Sequence, residues 1–499
     1  MAVEDVRRAL RSDARVVAIE APAGCGKTYE AAAAAADLAK DLREGRELLL
    51  LAHTNAAVGE FRRRVRERKV RVRASTLDAF ALELITPYAA ALGLPSPVAP
   101  GDGHGQVPFR ELARKAAELL RRAPSLARAL GHHYPVIFLD EHQDTRVEQD
   151  QLVRLIVEAG EGRLRTFADP MQAIYSSMDE LVNWQEHRQA ADATATLENP
   201  HRWQDVPELG EWIMRARDAL ERGHRVPTES LPECVRIELV RGLTDLPNPN
   251  SRQVQRALIR VLRRIADGAE GSLAVLTRYN EHARGLNSAL RGLVVIQEGG
   301  EFAPAYDALD RAEASLGKPR DMALALLGLL AQTCTGLTQE ICAQFSRSLL
   351  PDKIESGRRE RIRPILDCLE ALYKTPDLST WCQALACIVT RSPVWLKVDL
   401  RTNLRLLAQI RPGPDDSGRE LLDRAIRRYR EGAPLPRRCV STIHKAKGQE
   451  YDHVVVAVAG SSIFPASEKG RQLFYTAISR ARKSLTILSP DDHPSPLVM

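Results

Sequence analysis

One stretch near the amino end constrains this chain more than any other. Ala14 to Glu20 (ARVVAIE) is β-branched and apolar, which predicts a buried strand. It runs into Ala21-Pro22-Ala23-Gly24-Cys25-Gly26-Lys27-Thr28, and a helical pattern begins near Lys27 and continues through the alanines at 31 to 36. Strand, glycine turn and helix in that order make a Walker A loop. Glycines let backbone N–H groups approach phosphates closely, and the amino end of the helix adds positive potential. Ala23, Gly24, Cys25 and Gly26 form the expected cradle, with Lys27 placed for the β- and γ-phosphates and the Thr28 hydroxyl for Mg²⁺. The first position of the general pattern is Ala21 here, where Gly is usual.

The remaining patterns suit such a loop. Glu47–Ala52 (ELLLLA), Val136–Asp140 (VIFLD) and Leu164–Ala168 (LRTFA) read as further strands. Continuous apolar strands alternating with helices predict an α/β fold whose parallel sheet is covered on both faces. A second set follows at Leu273–Thr277, Cys439–Ile443, His453–Val458 and Ser484–Leu488. Between about 300 and 430 the pattern is helical, with breaks near Pro351, Pro376 and Pro393, which reads as a helical insertion. Asp415–Ser417 and Pro434–Pro436 read as its exit loops, and Leu94–Val107 as a surface loop before a helix at Phe109–Arg122.

A Walker A loop alone fits kinases, GTPases and motors. Val136 to Asp144 (VIFLDEHQD) discriminates, because a hydrophobic strand ending in Asp-Glu is a Walker B site with an added carboxylate. Asp140 is the expected Mg²⁺ ligand and Glu141 the general base toward the attacking water. Composition then excludes other classes. No apolar run approaches the roughly 20 residues of a membrane span. The charged, helical Met1–Arg15 is unlike a signal peptide. Eight scattered cysteines without a CxxC pair read as reduced thiols of a cytoplasmic protein. The net charge of +6 permits a polyanionic partner without demanding one; only 12 of 71 basic residues are Lys, a usage typical of GC-rich genomes.

At DEHQD the chain resembles the superfamily 1 helicases of the UvrD/Rep/PcrA type, whose motif reads DExQD, and the resemblance runs from about residue 14 to 488. LAHTNAAVGE (51–60) resembles motif Ia, which implies DNA contacts from Thr54 and Asn55, with His53 where the family usually has an aromatic. STLDAF (75–80) resembles motif Ib and implies a phosphate contact from Thr76. DPMQAIY (169–175) resembles motif III: Gln172 would couple the γ-phosphate to DNA, and Tyr175 would stack on a base. LENPHRW (197–203) resembles motif IV, with Arg202 as one arginine finger and His201 replacing the tyrosine that packs on the nucleotide base. Arg278, in LTRYN (276–280), is a further DNA contact by resemblance. TIHKAKGQEY (442–451) resembles motif V, which turns Thr442 and His444 toward DNA and Gly448 and Glu450 toward the nucleotide. LFYTAISRAR (473–482) resembles motif VI, with Arg480 as the second arginine finger.

The resemblance implies two RecA-like P-loop domains with reduced helical insertions. These would be residues 1–196 with a short insertion at about 81–130, then 197–299 and 437–499 around a helical insertion at 300–436. It also implies ATP and Mg²⁺ as cofactors, single-stranded or partly duplex DNA as partner, and 3′→5′ movement. The size and minimal architecture resemble the helicase-like subunit of the Gabija anti-phage system. That sets an alternative expectation: a DNA-stimulated, nucleotide-sensing ATPase that regulates a separate nuclease with little unwinding.

Departures bear on both. The family's LNxxQ signature, which reads adenine, is replaced by Asp5-Val6-Arg7, which weakens the expectation of ATP preference. Ser176-Ser177-Met178-Asp179 follows Tyr175 where the family has a second aromatic and RGA, with Trp184 or His53 as possible compensation. The basic run Phe61–Arg73 reads equally as phosphate contact or solvated helix end, His132-His133 as a loop pair, and Trp381-Cys382 and Trp395 as core.

Overall fold

The structure is a computed structural model that describes residues 2–68, 70, 72–95, 98, 100, 107–175, 180–241, 243, 259–261, 263–264, 271–290, 294–296, 303–355, 360–391, 393, 396–398, 403–413, 417–418, 421–422, 425 and 437–499. The expectations for Ser176–Asp179, Trp395, Asp415–Asp416 and Pro434–Pro436, and for most of the 94–107 loop, lie outside the described residues. The chain divides into two compact units, Met1–Gln297 with Pro436–Met499, and Glu298–Leu435.

The first unit holds two six-stranded sheets. The amino-terminal sheet contains β1 (Val16–Glu20), β2 (Leu48–Ala52), β3 (Val72–Thr76), β4 (Val136–Leu139), β5 (Arg163–Ala168) and β6 (Ala193–Thr196). Its order is β3-β2-β4-β5-β1-β6, and every pairing is parallel. Side chains alternate across a strand, so each apolar run feeds two cores. Leu48, Leu50, Val136 and Phe138 pack with helices α1 (Ala2–Arg11), α2 (Lys27–Leu38) and α3 (Asn55–Glu67). Leu49, Leu51, Ile137 and Leu139 pack on the other face with α4 (Leu77–Ile85), α5 (Phe109–Arg122), α6 (Pro124–His133) and α7 (Val147–Ala159). Ala31, Ala32, Ala34 and Ala35 are buried, so the alanine run is the packed face of α2.

Helix α8 (Trp184–Ala190) precedes β6, and α9 (Pro207–Glu221) enters the second lobe. That lobe's sheet uses β7 (Val235–Val240), β8 (Leu273–Thr277) and β9 (Val295–Ile296). The second unit follows, with a small antiparallel ribbon of β10 (Cys334–Thr335) and β11 (Lys397–Val398). The chain then returns with β12 (Arg438–Thr442), β13 (Tyr451–Val456) and β14 (Ala481–Pro490), giving a parallel sheet of order β7-β14-β13-β8-β12-β9. Its core includes Trp203, Trp212, Val454–Val456 and the helix Glu468–Ile478.

The second unit is helical around its own core, where Trp381 is buried and donates its indole N–H to Met322 O at 2.9 Å. Here the structure corrects the expectation of eight free thiols. Cys368 and Cys387, on the neighbouring helices Arg363–Lys374 and Leu378–Arg391, form a disulfide with Cα atoms 5.7 Å apart, leaving six free cysteines. His132-His133 is the carboxyl end of α6 and not a loop pair. In the basic run, Arg63 pairs with Glu60 and Glu67, Arg64 with Glu60, and Arg73 with Glu83, so much of its charge is met within the chain. No helix among the described residues is long and apolar enough to cross a membrane.

Candidate functional site

Ligands of open parallel sheets gather at the carboxyl ends of the strands, and the predicted residues lie there. β1 delivers the glycine loop, β4 delivers Asp140 and Glu141, and β5, lying between them, delivers Asp169 and Gln172. In the second lobe β8 leads to Arg278, β12 to His444 and Lys447, and the helix Glu468–Ile478 to Arg480.

The loop has the backbone its glycines permit. Gly24 and Gly26 have φ of +76° and +83°, in the left-handed region that side chains rarely adopt. A Cβ on Gly24 would stand 2.8 Å from Arg202 Cβ, and one on Gly26 would stand 3.2 Å from His201 Cδ2. The loop is thus packed under the His201–Trp203 turn. Arg202 N–H donates to Gly24 O at 3.2 Å, and Ala23 N–H donates to the Tyr475 hydroxyl at 3.1 Å. Cys25 is buried, and burial pushes its thiol up to about 12, so it serves by its backbone and small size.

Lys27 Nζ donates to Glu141 Oε1 at 2.9 Å. Burial acts against charge on Lys27, but the Glu141 and Asp140 carboxylates outweigh it and hold the ammonium above its ordinary range. Burial alone would raise Glu141; Lys27 and Lys447 overcome it and hold the carboxyl well below the usual range. Asp140 goes the other way, to about 6, through burial and the neighbouring Glu141 charge. Its Oδ1 accepts the Glu141 N–H at 2.9 Å. Gln143 donates to Glu141 Oε2, and its own carbonyl accepts Asp169 N–H at 3.0 Å.

Residues of the second lobe reach this cluster. Arg480 Nη2 donates to Gln172 Oε1 at 2.6 Å, and Gln172 Nε2 donates to Asp169 Oδ2 at 2.6 Å. Arg480 is 2% exposed, and burial, with Arg202 nearby, lowers it to about 10. Arg202 donates to Glu450 Oε1 at 2.6 Å and to Ser479 O at 2.5 Å, while its Nε is buried without an acceptor. A glycine cradle, a buried and a half-buried guanidinium group and an orphaned N–H fit a polyphosphate. The Thr28 hydroxyl and Asp140 carboxylate are the hard oxygen donors a Mg²⁺ ion takes. Gly448 sits in an exposed turn at φ +79°, two residues before Glu450, and His201 Nδ1 lies 3.0 Å from Gln204 Nε2.

The residues expected at DNA divide into two groups. Tyr175 donates its hydroxyl to His444 O at 2.5 Å; the two rings lie 5.9 Å apart, and Lys447 Nζ is 5.0 Å from the tyrosine ring centre. Arg278 is half-buried and donates to Ile463 O at 2.8 Å. Thr54 and Thr76 cap α3 and α4, accepting Ala57 N–H and Ala79 N–H, each at 3.2 Å. Asn55 opens α3. His53 is half-buried, with Nε2 3.1 Å from Thr145 Oγ1, and burial lowers it to about 3. Thr442 is 4% exposed and stands at the amino end of the short helix Ile443–Ala446. One expectation changes. Trp184 is 5% exposed, packed on His142 and His187, and cannot stack on a base in Tyr175's company.

Sequence reasoning passed over Lys447, although TIHKAKGQEY contains it. The residue is 7% exposed, its ammonium paired with Asp144 and donating to Gln172 O at 2.5 Å. Asp144 is raised to about 6 by burial, against the pull of Lys447, and its Oδ1 has no partner. The final Asp of DEHQD and the Lys of AKG were the available signal: a buried acid and a lysine in two ordered motifs.

Residues 3–106 and 101–177 match the UvrD/REP helicase N-terminal domain, and residues 438–488 match the UvrD-like helicase C-terminal domain. Among solved structures, this chain is similar to one titled as the crystal structure of Pif1 helicase from Candida albicans, with 14% identity over 97% of this chain and 93% of that one and a TM-score of 0.42. None of the curated proteins matches.

Proposed function

From the premise that the chain belongs to the UvrD-like superfamily 1 helicases, whose members use nucleotide and bind DNA, we propose an ATP- and Mg²⁺-dependent motor that moves 3′→5′ on single-stranded DNA in the cytoplasm. The observation that carries this reading is the convergence of Lys27, Glu141, Gln172, Arg202 and Arg480 from two lobes on one glycine loop. Thr28 and Asp140 would hold magnesium, which neutralises phosphate charge when bound.

The chain's own residues divide the remaining work. Glu141 is ionised and able to take a proton from the attacking water, but its ion pair with Lys27 makes it a weak base. Transfer of Lys27 to the nucleotide's phosphates removes that pairing and strengthens the base when substrate is in place. Arg202 and Arg480 then meet the developing charge, with Gln172 orienting Arg480. Tyr175 and His444, linked across the lobes, together with Arg278 and Thr54, form the proposed face for single-stranded or partly duplex DNA.

A second reading is favoured by the burial of Trp184, which leaves it unable to replace the second aromatic that the sequence lacks after Tyr175. In it the chain is a DNA-stimulated, nucleotide-sensing ATPase with little unwinding, acting beside a separate nuclease in anti-phage defence. ATPase measured with and without single-stranded DNA, followed by displacement from substrates with 3′ or 5′ tails, separates the readings. The motor gives DNA-stimulated ATPase and displacement from the 3′ tail; the sensor gives ATPase alone. Full activity in Lys27→Ala or Glu141→Gln would sink both.

A further inference from the structure

His142 follows Glu141 in the chain and is fully buried. Its Nε2 lies 3.1 Å from Asp150 Oδ1 on α7, and the other oxygen of that carboxylate accepts Arg154 Nε–H at 2.5 Å. Burial would raise Asp150, but these two partners outweigh it and hold the carboxyl at about 2. Arg154 Nη2 donates to His187 Nδ1 on α8 at 2.8 Å. A guanidinium only donates, so His187 carries its proton on Nε2. That N–H donates to Thr166 Oγ1 on β5 at 2.9 Å, and the Thr166 hydroxyl donates to Val17 O on β1 at 3.3 Å. The run joins the turn after β4 to α7, α8, β5 and β1. The His142 and His187 rings lie 4.1 Å apart, with Trp184 packed beside both.

Ligand atoms of His142, Asp150 and His187 lie within 4.8 Å of one another, a spacing that could suit a metal ion. The Arg154 guanidinium, bonded to Asp150 and to His187, already supplies the cation at that place. The cluster is therefore better understood through what it holds. Glu141 has φ of +52° and ψ of +46°, a left-handed conformation that a side chain disfavours and that persists only when its surroundings enforce it. On one side its N–H is tied to Asp140, and on the other His142 is anchored to Asp150. The strand reached through His187, β5, runs on to Asp169 and Gln172.

We propose that His142 and Asp150 are positioning residues of the ATPase: locking the imidazole onto Asp150 holds Glu141 in its left-handed turn. Through Arg154, His187 and Thr166 the same brace keys Glu141 to the strand that carries Gln172, so both groups keep one register beneath the γ-phosphate. The inference rests on Glu141 being the general base, as proposed above.

The test is steady-state ATPase of the full chain with magnesium and a single-stranded oligonucleotide, with affinity for a fluorescent ATP analogue measured separately. His142→Leu should lower kcat by about tenfold or more, with KM and analogue affinity within about twofold. His142→Gln keeps a side-chain N–H for Asp150 and should recover to within about threefold of wild type. Equal losses in the two variants, a loss through KM alone, or an unchanged kcat in His142→Leu would overturn the brace. Should His142→Leu not fold, Asp150→Asn gives the same comparison: a lowered kcat at constant KM supports the brace, and an unchanged kcat overturns it. A wild-type chain that hydrolyses no ATP overturns the ATPase reading and the brace with it, a result distinct from every variant pattern above.

Discussion

At the scale of single residues, two positions make demands that can be measured. Gly24 lies at φ +76° with Arg202 Cβ 2.8 Å from where its own Cβ would be. Alanine there meets a left-handed penalty of about 1–2 kcal/mol and pushes the His201–Trp203 turn off the loop. Gly24→Ala should therefore weaken binding of a fluorescent ATP analogue by about tenfold or more, and unchanged affinity would show that the loop is not the phosphate cradle. His187 is the second position. It is 4% exposed, and burial lowers it to about 3, so it is neutral in the folded chain at pH 7. The unfolded chain takes up a proton near pH 6.5 and the folded chain does not, so this contribution is complete above 6.5 and is lost as pH falls toward 3. Wild type should lose up to about 1.4 kcal/mol per pH unit below 6.5 from this group, a loss that His187→Gln lacks. Urea unfolding of both proteins at pH 7 and 5.5 should show the variant's stability deficit shrinking by about 1 kcal/mol. A constant deficit would mean that His187 takes up its proton in the fold as readily as in the unfolded chain.

Elements show why some of the fold was legible and some was not. The central strands β1, β2, β4, β5, β8, β12, β13 and β14 were readable because both faces are buried, which leaves unbroken apolar runs such as LLLLA and VIFL. The strands passed over in the two six-stranded sheets, β3, β6, β7 and β9, are the four edges of those sheets. β3 (VRAST) and β6 (ATAT) are only partly buried, so their sequences carry little apolar signal. The glycine loop and Walker B turn were legible for another reason: their chemistry dictates residue types at fixed spacing. The brace behind Glu141 was not, because Asp150, Arg154, Thr166 and His187 come from three separate elements and share no spacing rule. The Cys368–Cys387 pair, 19 residues apart, was hidden likewise, since only the packing of two helices brings the sulfurs together. Thiol titration of the denatured, unreduced chain should give six free cysteines per molecule, and eight after reduction. Eight without reductant would mean that those helices pack with both thiols free.

Across the whole molecule, the parts of the proposed cycle meet through one buried lysine. Lys447 comes from the second lobe, pairs with Asp144 after the Walker B strand, donates to Gln172 O and lies over the Tyr175 ring. Tyr175 in turn holds His444 O, so the nucleotide side and the proposed DNA face share this ammonium within a few bonds. Removing one partner of a buried pair leaves the other uncompensated, at a cost of about 3–5 kcal/mol when the charge must stay. Asp144 need not keep its charge: burial already raises it to about 6, and without Lys447 it rises further and takes a proton at neutral pH. Lys447→Met should therefore fold, while the tie from Tyr175 and Gln172 to the Walker B turn is lost. Hydrolysis without DNA depends mainly on Lys27, Glu141 and the arginines and should fall less than the DNA-stimulated rate, which should drop by about tenfold. ATPase titrations with a single-stranded oligonucleotide measure both quantities. A variant that lost the two rates in equal proportion would show that Lys447 serves hydrolysis directly and does not carry the signal from DNA.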